Sequence, residues 1–130
     1  MSDSVFSKII KGEIPCHKVY EDEKTFAFLD IHPKTEGHVL VIPKKEVDHL
    51  WDLPDEDYIA LMKTTKKIAE RIRQVLKPGR VGMQVEGVGV SHAHVHVFPF
   101  NSVEEYHYIP DPNAKPDHAK LAEVAKKLVL

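Results

Sequence analysis

The stretch Ser91-His92-Ala93-His94-Val95-His96-Val97-Phe98 says most about the fold and function of this 130-residue sequence. Side chains of a β-strand alternate between the two faces of a sheet. If this stretch forms a strand, its three imidazoles lie on one face and Ala93, Val95 and Val97 lie on the other. Packing alone does not require a polar group at every second position. Burying imidazoles would also carry a cost, because each buried imidazole nitrogen needs a hydrogen-bond partner. The pattern therefore predicts a strand with one core face and one functional face.

Three interpretations of the histidine face follow from the residues alone: a solvated face rich in histidine, a metal site, or a site of nucleophilic catalysis. Histidines two positions apart on a strand can both ligate zinc, and three ligands with an open position are typical of catalytic zinc. An imidazole can also attack an electrophilic phosphorus and form a covalent intermediate that water cleaves. The spacing does not separate the last two interpretations.

Hydrophobic periodicity outside this segment predicts a mixed fold. A long helix opens at Leu53-Pro54 and ends at Lys77-Pro78-Gly79, with apolar residues recurring on one face. Residues 101–116 are polar and have no clear period. Successive strands are joined by short turns, which favours antiparallel pairing and an α+β domain. Shorter helices are predicted near 6–10 and 117–130, and strands at 17–20, 24–31, 38–42, 81–86 and 90–98.

Composition excludes several classes of protein. Eighteen Lys and Arg against twenty Asp and Glu give a net charge of −2, which argues against a nucleic-acid partner that would need a basic surface. No apolar run approaches the roughly 18 residues of a membrane span, and no leader segment is visible, so we expect a cytoplasmic protein without a membrane partner. Cys16 is the single cysteine, which we interpret as a small core residue rather than a nucleophile.

The segment from His92 to Phe98 resembles the His-φ-His-φ-His-φ-φ signature (φ, apolar) of the histidine triad (HIT) family. Three more segments resemble family motifs in the expected order: Phe6–Pro15, Phe28-Leu29-Asp30-Ile31-His32-Pro33 and Gly37–Lys45. The resemblance covers about residues 4–100 and is closest to the Hint-like branch. It implies a five-stranded antiparallel sheet with a long central helix and short N- and C-terminal helices. Residues 1–130 are then one HIT domain, with 101–130 as a C-terminal extension that carries the terminal helix.

The resemblance also implies nucleotidyl chemistry without a cofactor. Family members release a nucleoside monophosphate from nucleoside phosphoramidates, acyl-nucleotides or dinucleoside polyphosphates, and they commonly form homodimers. By position, His94 is the expected nucleophile, and the main-chain carbonyl of His92 is expected to hold its other ring nitrogen. His96 is expected to contact the phosphate oxygens. His38, on the neighbouring strand, is expected to anchor the triad.

The same resemblance implies a nucleoside pocket. Apolar side chains are expected to sandwich the base, and Asp30 matches the acidic residue that accepts hydrogen bonds from the ribose hydroxyls. Two glycines before the triad offer main-chain N–H groups, because glycine permits close approach. The expected nucleotide-binding residues are Phe6, Ile9, Ile14, Phe28, Asp30, Ile31, Gly87 and Gly89.

The sequence departs from the family pattern in three places. Ser4 and Ser7 stand where many bacterial relatives carry a zinc-binding Cys-x-x-Cys, and serine is a poor zinc ligand, so we expect no metal. The segment Tyr106-His107-Tyr108 differs from the family's C-terminal pattern. Val88 stands at the usual glutamine position of a shortened loop.

Two alternatives to the enzyme therefore remain at this point. The first is a purine-nucleotide binding or regulatory module with little turnover, which the altered loop around Val88 keeps open. The second is a histidine-rich metal-binding protein that uses His92, His94 and His96.

Overall fold

The computed structural model describes residues 3–130 and is built around one antiparallel sheet with helices packed on it. Its spatial strand order is β1-β2-β3-β5-β4, and every neighbouring pair is antiparallel, which confirms the predicted α+β fold with a five-stranded antiparallel sheet. The strands are β1 (Lys18–Glu21), β2 (Thr25–Leu29), β3 (Val39–Pro43), β4 (Arg80–Gln84) and β5 (Val95–Phe100). The helices are α1 (Val5–Ile10), α2 (Asp55–Leu76), α3 (Val103–His107) and α4 (His118–Leu128), with one 3-10 turn at Leu50–Asp52.

Helices α2 and α4 cover one face of the sheet and form the main core with it. Ile68 and Ile72 of α2 pack with Leu128 of α4 against alternate strand residues such as Val41 and Val97, and all five are essentially inaccessible to water. Each such side chain contributes roughly 1.5–3 kcal/mol by leaving water. The predicted long helix is confirmed, and it ends where Lys77 adopts a left-handed conformation with φ of 50° before Pro78. None of the helices in residues 3–130 is long and apolar enough to cross a membrane.

The opposite face of the sheet is covered only in part, by the short helix α1. Phe6 and Ile9 of α1 pack on Phe28 and Leu40 of the neighbouring strands β2 and β3. Ser4 caps this helix, because its hydroxyl accepts a hydrogen bond from the Ser7 main-chain N–H at 3.0 Å. The uncovered remainder of this face contains the cavities described below.

Strand β5 begins at Val95 and not at Val90 as the alternation predicted. The reason lies in Ala93, whose main-chain N–H donates to the Val47 carbonyl at 2.7 Å and so pairs outside the sheet ladder. Residues 85–94 form the connection from β4, and His94 lies at its end, one residue before the strand. The predicted alternation holds nonetheless, because Ala93 is buried in the main core together with the apolar residues of β5.

Residues 101–116 contain the short helix α3, which the hydrophobic pattern did not predict. Its signal is the pair Ser102 and Glu105, spaced as in a capping box. The Ser102 hydroxyl accepts from the Glu105 main-chain N–H at 3.2 Å, and the Glu105 carboxylate accepts from the Asn101 main-chain N–H at 2.6 Å. Helix α3 buries no residue, so its signal in the sequence is the pair of capping residues and not an apolar period.

Candidate active site

His94 lies buried at the entrance to β5 with its ring orientation fixed by a main-chain group. Its Nδ1 is 2.8 Å from the carbonyl oxygen of His92. A carbonyl oxygen only accepts, so Nδ1 carries the proton and Nε2 of the neutral ring keeps its lone pair. The ring of Phe6 packs edge-on against the imidazole, with 5.0 Å between centroids. The hydrogen bond expected between the first two histidines of the triad is therefore present.

His96 and His38 form a relay whose direction is set by the main chain. The Lys34 N–H donates to Nδ1 of His38 at 3.0 Å, so the proton of the neutral His38 ring is on Nε2. That Nε2 lies 2.9 Å from Nδ1 of His96, which must accept. The proton of His96 is consequently on Nε2. Two neighbouring strands thus supply a hydrogen-bond donor of fixed tautomer beside His94, 5.1 Å away between ring centroids.

Burial keeps this relay neutral. Desolvation, with smaller contributions from neighbouring charges, lowers the pKa of His38 to about 3. Desolvation also lowers the pKa of His96 to about 4, helped by repulsion from His94 and from the Lys34 ammonium. Both rings are uncharged at neutral pH, so they act through a directed N–H rather than through a positive charge.

His92 is completely buried and its ring holds the structure behind the site. Its Nε2 is 2.8 Å from the Pro43 carbonyl, and its Nδ1 is 2.9 Å from the Ser4 hydroxyl. The Glu46 carboxylate accepts from the Ser4 main-chain N–H at 2.7 Å and from the Ser7 hydroxyl at 2.6 Å. These bonds tie helix α1 to the carbonyl that orients His94, and burial lowers the pKa of His92.

The residues at the family's zinc position do not fit a metal. Two hydroxyls replace two thiolates, and hydroxyls are weak zinc ligands. The polar atoms of Ser4, Ser7, Glu46 and His92 already satisfy one another through hydrogen bonds. His49, a further histidine of the chain, has a side chain that is 74% exposed and lies beside Asp48, away from this network. The expectation of no metal is consistent with this network.

The alternative metal site on His92, His94 and His96 is wrong in its geometry. Among residues 3–130, the group whose potential ligand atoms lie within 4.8 Å of one another is Asp30, His38 and His96. In that group the facing nitrogens of His38 and His96 already share a hydrogen bond. His92 directs both ring nitrogens to other protein groups.

A cavity of about 360 Å³ opens between α1, the end of β2 and the triad. All the expected nucleotide-binding residues except Gly87 line it, together with His94 and His96. Gly87 does not line the cavity. It has a φ of +75°, a conformation that favours glycine and allows the loop to turn at this point. Val88 is 89% exposed. The sequence argument gave no binding role to the remaining wall residues, which are Val5, Pro15, Cys16, Leu29, Leu40, Glu86 and Val90. Most of them are apolar, and apolar side chains of a cavity and of a core share one pattern.

Asp30 and Cys16 are two further ionisable residues of the cavity wall that the sequence argument weighed individually. Asp30 directly follows β2. Its Oδ1 accepts from the His32 main-chain N–H at 2.9 Å, and its Oδ2 lies 3.7 Å from Nε2 of His38. Burial raises the pKa of Asp30. Cys16 is half-buried and packs against the apolar cluster that α1 forms with β2 and β3, which consists of Phe6, Ile9, Phe26, Phe28, Leu40 and Ile42. Burial raises the pKa of its thiol. Cys16 is therefore a cavity-wall residue and not the fully buried core residue that was predicted, while the raised pKa agrees with the prediction that it is not a nucleophile.

Several proteins and one family model are similar to this chain in sequence. A family model described as the HIT domain matches residues 11–103. The chain is 35% identical over 130 residues to the adenosine 5'-monophosphoramidase HNT1 of Saccharomyces cerevisiae, covering 96% of this chain and 80% of the yeast protein. It is 40% identical over 99 residues to an uncharacterized HIT-like protein of Methanocaldococcus jannaschii, covering 73% and 77% of the two chains.

Solved structures give the same relationship. A Hit-like protein of Bartonella henselae, described as involved in cell-cycle regulation, superposes with a TM-score of 0.84 at 32% identity over 97% of this chain and 93% of that chain. A HIT family member from Bacillus subtilis superposes with a TM-score of 0.77 at 32% identity over 99% of each chain. Since the family model spans most of the sequence and the relatives exceed 30% identity over more than two thirds of it, the chain belongs to the histidine triad (HIT) family.

Proposed function

We propose that this protein is a nucleotide hydrolase or transferase that releases a nucleoside monophosphate through a nucleotidyl-His94 intermediate. The observation that carries the proposal is the hydrogen bond from His94 Nδ1–H to the His92 carbonyl at 2.8 Å. It leaves an unprotonated Nε2 beside a cavity of nucleoside size. Residues 1–130 are proposed to act as one HIT domain, with 101–130 as its extension.

The proposed reaction has two displacements at phosphorus. In the first, the lone pair of His94 Nε2 forms a bond to the α-phosphorus while the bond to the leaving group breaks. The leaving group departs with its electron pair and takes a proton from solvent. In the second, water attacks phosphorus, the bond to His94 breaks, and the monophosphate leaves. The Nε2–H of His96 is positioned to stabilise the charge on the phosphate oxygens during both steps.

The wall of the cavity supports a nucleoside as the bound part of the substrate. Phe6, Ile9 and Phe28 present apolar surface to a flat base, and their packing against one another and against Leu40 holds them in place. Asp30 offers carboxylate oxygens at the end of the same wall, where ribose hydroxyls can donate to them. The names of three yeast relatives as adenosine 5'-monophosphoramidases favour a phosphoramidate of adenosine as the first substrate to test.

The test uses chelator-treated protein and adenosine 5'-phosphoramidate. We expect release of AMP by the wild type without added metal, and no release by His94→Ala. Tight nucleotide binding with no product would instead support the binding module, and activity that depends on added zinc would contradict the metal-free mechanism.

We further propose a homodimer that forms through strand β4. Among residues 3–130, β4 is an edge strand whose outer side has no strand partner, and the side chains of Met83 and Val85 at this edge are 53% and 47% exposed. The opposite edge differs, because the Leu130 N–H donates to the Val19 carbonyl of β1 at 2.9 Å. Light scattering should give twice the chain mass for the wild type and the monomer mass for Met83→Arg.

A further inference from the structure

The side chain of Lys34 ties the C-terminal extension to the loop between β2 and β3. Its Nζ donates to the main-chain carbonyls of Tyr106 and Tyr108, both at 2.9 Å. The ammonium also lies 5.4 Å from the ring centroid of Phe98 on β5. Lys34 therefore contacts the extension and the sheet at the same time.

The extension between β5 and α4 depends on such polar contacts, because little of it is buried. Helix α3 buries no residue, and residues 111–115 are exposed. The ring of Tyr106 packs on two phenylalanines of β5, and Nε2 of His32 lies 2.9 Å from the Ala114 carbonyl. Segments with few apolar contacts open at low cost in free energy. The two hydrogen bonds from the Lys34 ammonium are therefore a large share of what holds this segment.

The main chain of the same lysine acts on the histidine relay. The Lys34 N–H donates to Nδ1 of His38 at 3.0 Å. The next residue, Thr35, donates its hydroxyl to the Pro99 carbonyl of β5 at 2.6 Å. The loop is thus held by the extension through one side chain and by the sheet through the other. The direction of the Lys34 N–H depends on both.

The relay has two neutral forms that contain the same number of protons. In the assigned form, Nε2–H of His38 donates to Nδ1 of His96, and His96 carries its own proton on Nε2. In the reverse form, Nδ1–H of His96 donates to Nε2 of His38, and the proton of His38 is on Nδ1. The nitrogen–nitrogen distance of 2.9 Å suits either form. The reverse form presents a lone pair of His96 to a phosphate oxygen, which repels it.

The Lys34 N–H selects between these forms. In the reverse form it faces the Nδ1–H of His38, so two donors meet and neither has a partner. The carboxylate of Asp30 also favours a proton on Nε2 of His38, but its Oδ2 is 3.7 Å away. The donor at 3.0 Å is the closer of the two groups and acts on the opposite ring nitrogen.

We propose that Lys34 is a positioning residue that couples the docking of the C-terminal extension to the tautomer of the histidine relay. This inference rests on the proposed function, because it concerns the N–H that His96 directs to the phosphate. With the ammonium anchored, the loop keeps its N–H on His38 and the relay stays in the assigned form. When the extension detaches, the loop is free to move and the reverse form becomes populated.

The first measurement reads the tautomers directly, by NMR correlation of the imidazole nitrogens with the ring protons. In the wild type we expect His96 to be protonated on Nε2. Lys34→Met, which keeps the length of the side chain but has no donor, should raise the share of His96 protonated on Nδ1. Lys34→Arg should restore the wild-type spectrum, because a guanidinium can also donate to two carbonyls. Lys63→Met, at an exposed position of α2, is the matched control.

The second measurement follows the extension and the reaction in the same variants. The amides of Tyr106 and Tyr108, which donate to main-chain carbonyls within the extension, should exchange about tenfold faster in Lys34→Met. Its kcat for adenosine 5'-phosphoramidate should fall about fivefold with KM within about twofold, because the His96 donor acts mainly in the transition state. Its His96 ring should also titrate at higher pH, since the ammonium helps to lower the pKa of His96.

Three results would overturn the inference while the proposed function stands. The first is a wild-type His96 protonated on Nδ1. The second is a Lys34→Met protein whose extension exchanges faster while kcat and the tautomer of His96 are unchanged. The third is a Lys34→Arg protein that is as impaired as Lys34→Met although its extension exchanges like that of the wild type. If the wild type releases no AMP, the proposed function fails, and the tautomer and exchange data still decide whether the extension and the relay are coupled.

Discussion

The two faces of the sheet are made from alternating residues of the same strands, and they differ in what their side chains do. The face toward α2 and α4 contains apolar residues such as Val41, Val95 and Val97, which are essentially inaccessible. The opposite face contains the imidazoles of His38 and His96. Their ring nitrogens form the hydrogen bonds of the relay or face a cavity that both residues line. One set of residues stabilises the fold through burial. The residues of the histidine face add little apolar burial, and on this stable sheet the imidazoles are held neutral and in fixed tautomers.

The comparison teaches how a sheet can hold polar side chains in fixed orientations on one face while the other face forms the core. Burial lowers the pKa of both His38 and His96, which opposes folding at low pH. The apolar face compensates for this loss, since residues such as Ile68 and Ile72 bury their whole side chains on the other side of the sheet. If this division is correct, substitutions on one face change stability and substitutions on the other change activity.

The largest effect is expected from His94→Ala. Removing the proposed nucleophile should lower kcat/KM for adenosine 5'-phosphoramidate by about 10³-fold or more, equivalent to roughly 4 kcal/mol of transition-state stabilisation. The melting temperature should change little, because the apolar core lies on the other face. His49→Ala is the matched control, since that histidine is 74% exposed. Near-normal turnover by His94→Ala would refute the assignment of the nucleophile.

The next effect is expected from Ile72→Ala on the opposite face. Ile72 is fully buried in the main core, so truncation removes apolar contact and leaves a cavity. The free energy of unfolding in urea should fall by about 3 kcal/mol. Activity measured well below the melting temperature should stay within about twofold. A large loss of kcat/KM in a variant that remains folded would mean that the two faces are not separate in function.

The third effect concerns the stability of the protein at acidic pH. In the folded protein the pKa of His38 is about 3, below its value near 6.5 in an unfolded chain. Between these values the unfolded chain binds more protons, so the contribution of neutral His38 is fully present above about pH 6.5 and is lost as pH falls. This group alone should cost about 2 kcal/mol on going from pH 7 to pH 5, at about 1.4 kcal/mol per pH unit below 6.5.

His38→Gln tests this without adding a charge, because an amide can accept from the Lys34 N–H and donate to His96. Urea unfolding at pH 7 and pH 5 should show a smaller loss of stability for the variant than for the wild type. Equal losses in the two proteins would indicate that His38 is not held neutral by burial.

The smallest effect is expected from Ser4→Ala, which acts where helix α1 is hydrogen-bonded to His92 behind the site. The change removes the cap of α1 and the partner of His92 Nδ1. It should lower the free energy of unfolding by about 1 kcal/mol, and Ser4→Thr should recover most of that loss. A chelator should change the stability of neither variant if the cluster works through hydrogen bonds. A destabilisation by chelator would show that a metal contributes to this cluster.

Much of the fold was predictable because burial leaves a strong periodic signal. The alternation of histidine with Ala93, Val95 and Val97 identified the two faces correctly even though β5 starts only at Val95. The start of the strand was missed because it depends on a tertiary bond, from the Ala93 N–H to the Val47 carbonyl. Helix α3 was missed because its signal is a pair of capping residues rather than an apolar period.

The site was predictable in its motif and less so in its surroundings. The family resemblance supplied His38, His94 and most of the walls of the first cavity. A further cavity of about 370 Å³ beside His38 and His96 was not predicted, because its residues come from four separate parts of the chain and meet only after the C-terminal extension has packed. Lys34 and Glu46 were not singled out either. Their importance lies in hydrogen bonds to main-chain and hydroxyl groups, which a lone charged residue in a polar turn does not reveal.

The most direct test of the nucleotidyl-His94 intermediate is the stereochemical course at phosphorus. The substrate is an adenosine 5'-phosphoramidate made chiral at phosphorus by one sulfur, hydrolysed by chelator-treated protein in ¹⁸O-labelled water, with the configuration of the product read by ³¹P NMR. Two displacements, first by His94 and then by water, each invert the phosphorus, so the account predicts net retention. Net inversion would mean that water attacks the substrate directly and would contradict a covalent intermediate.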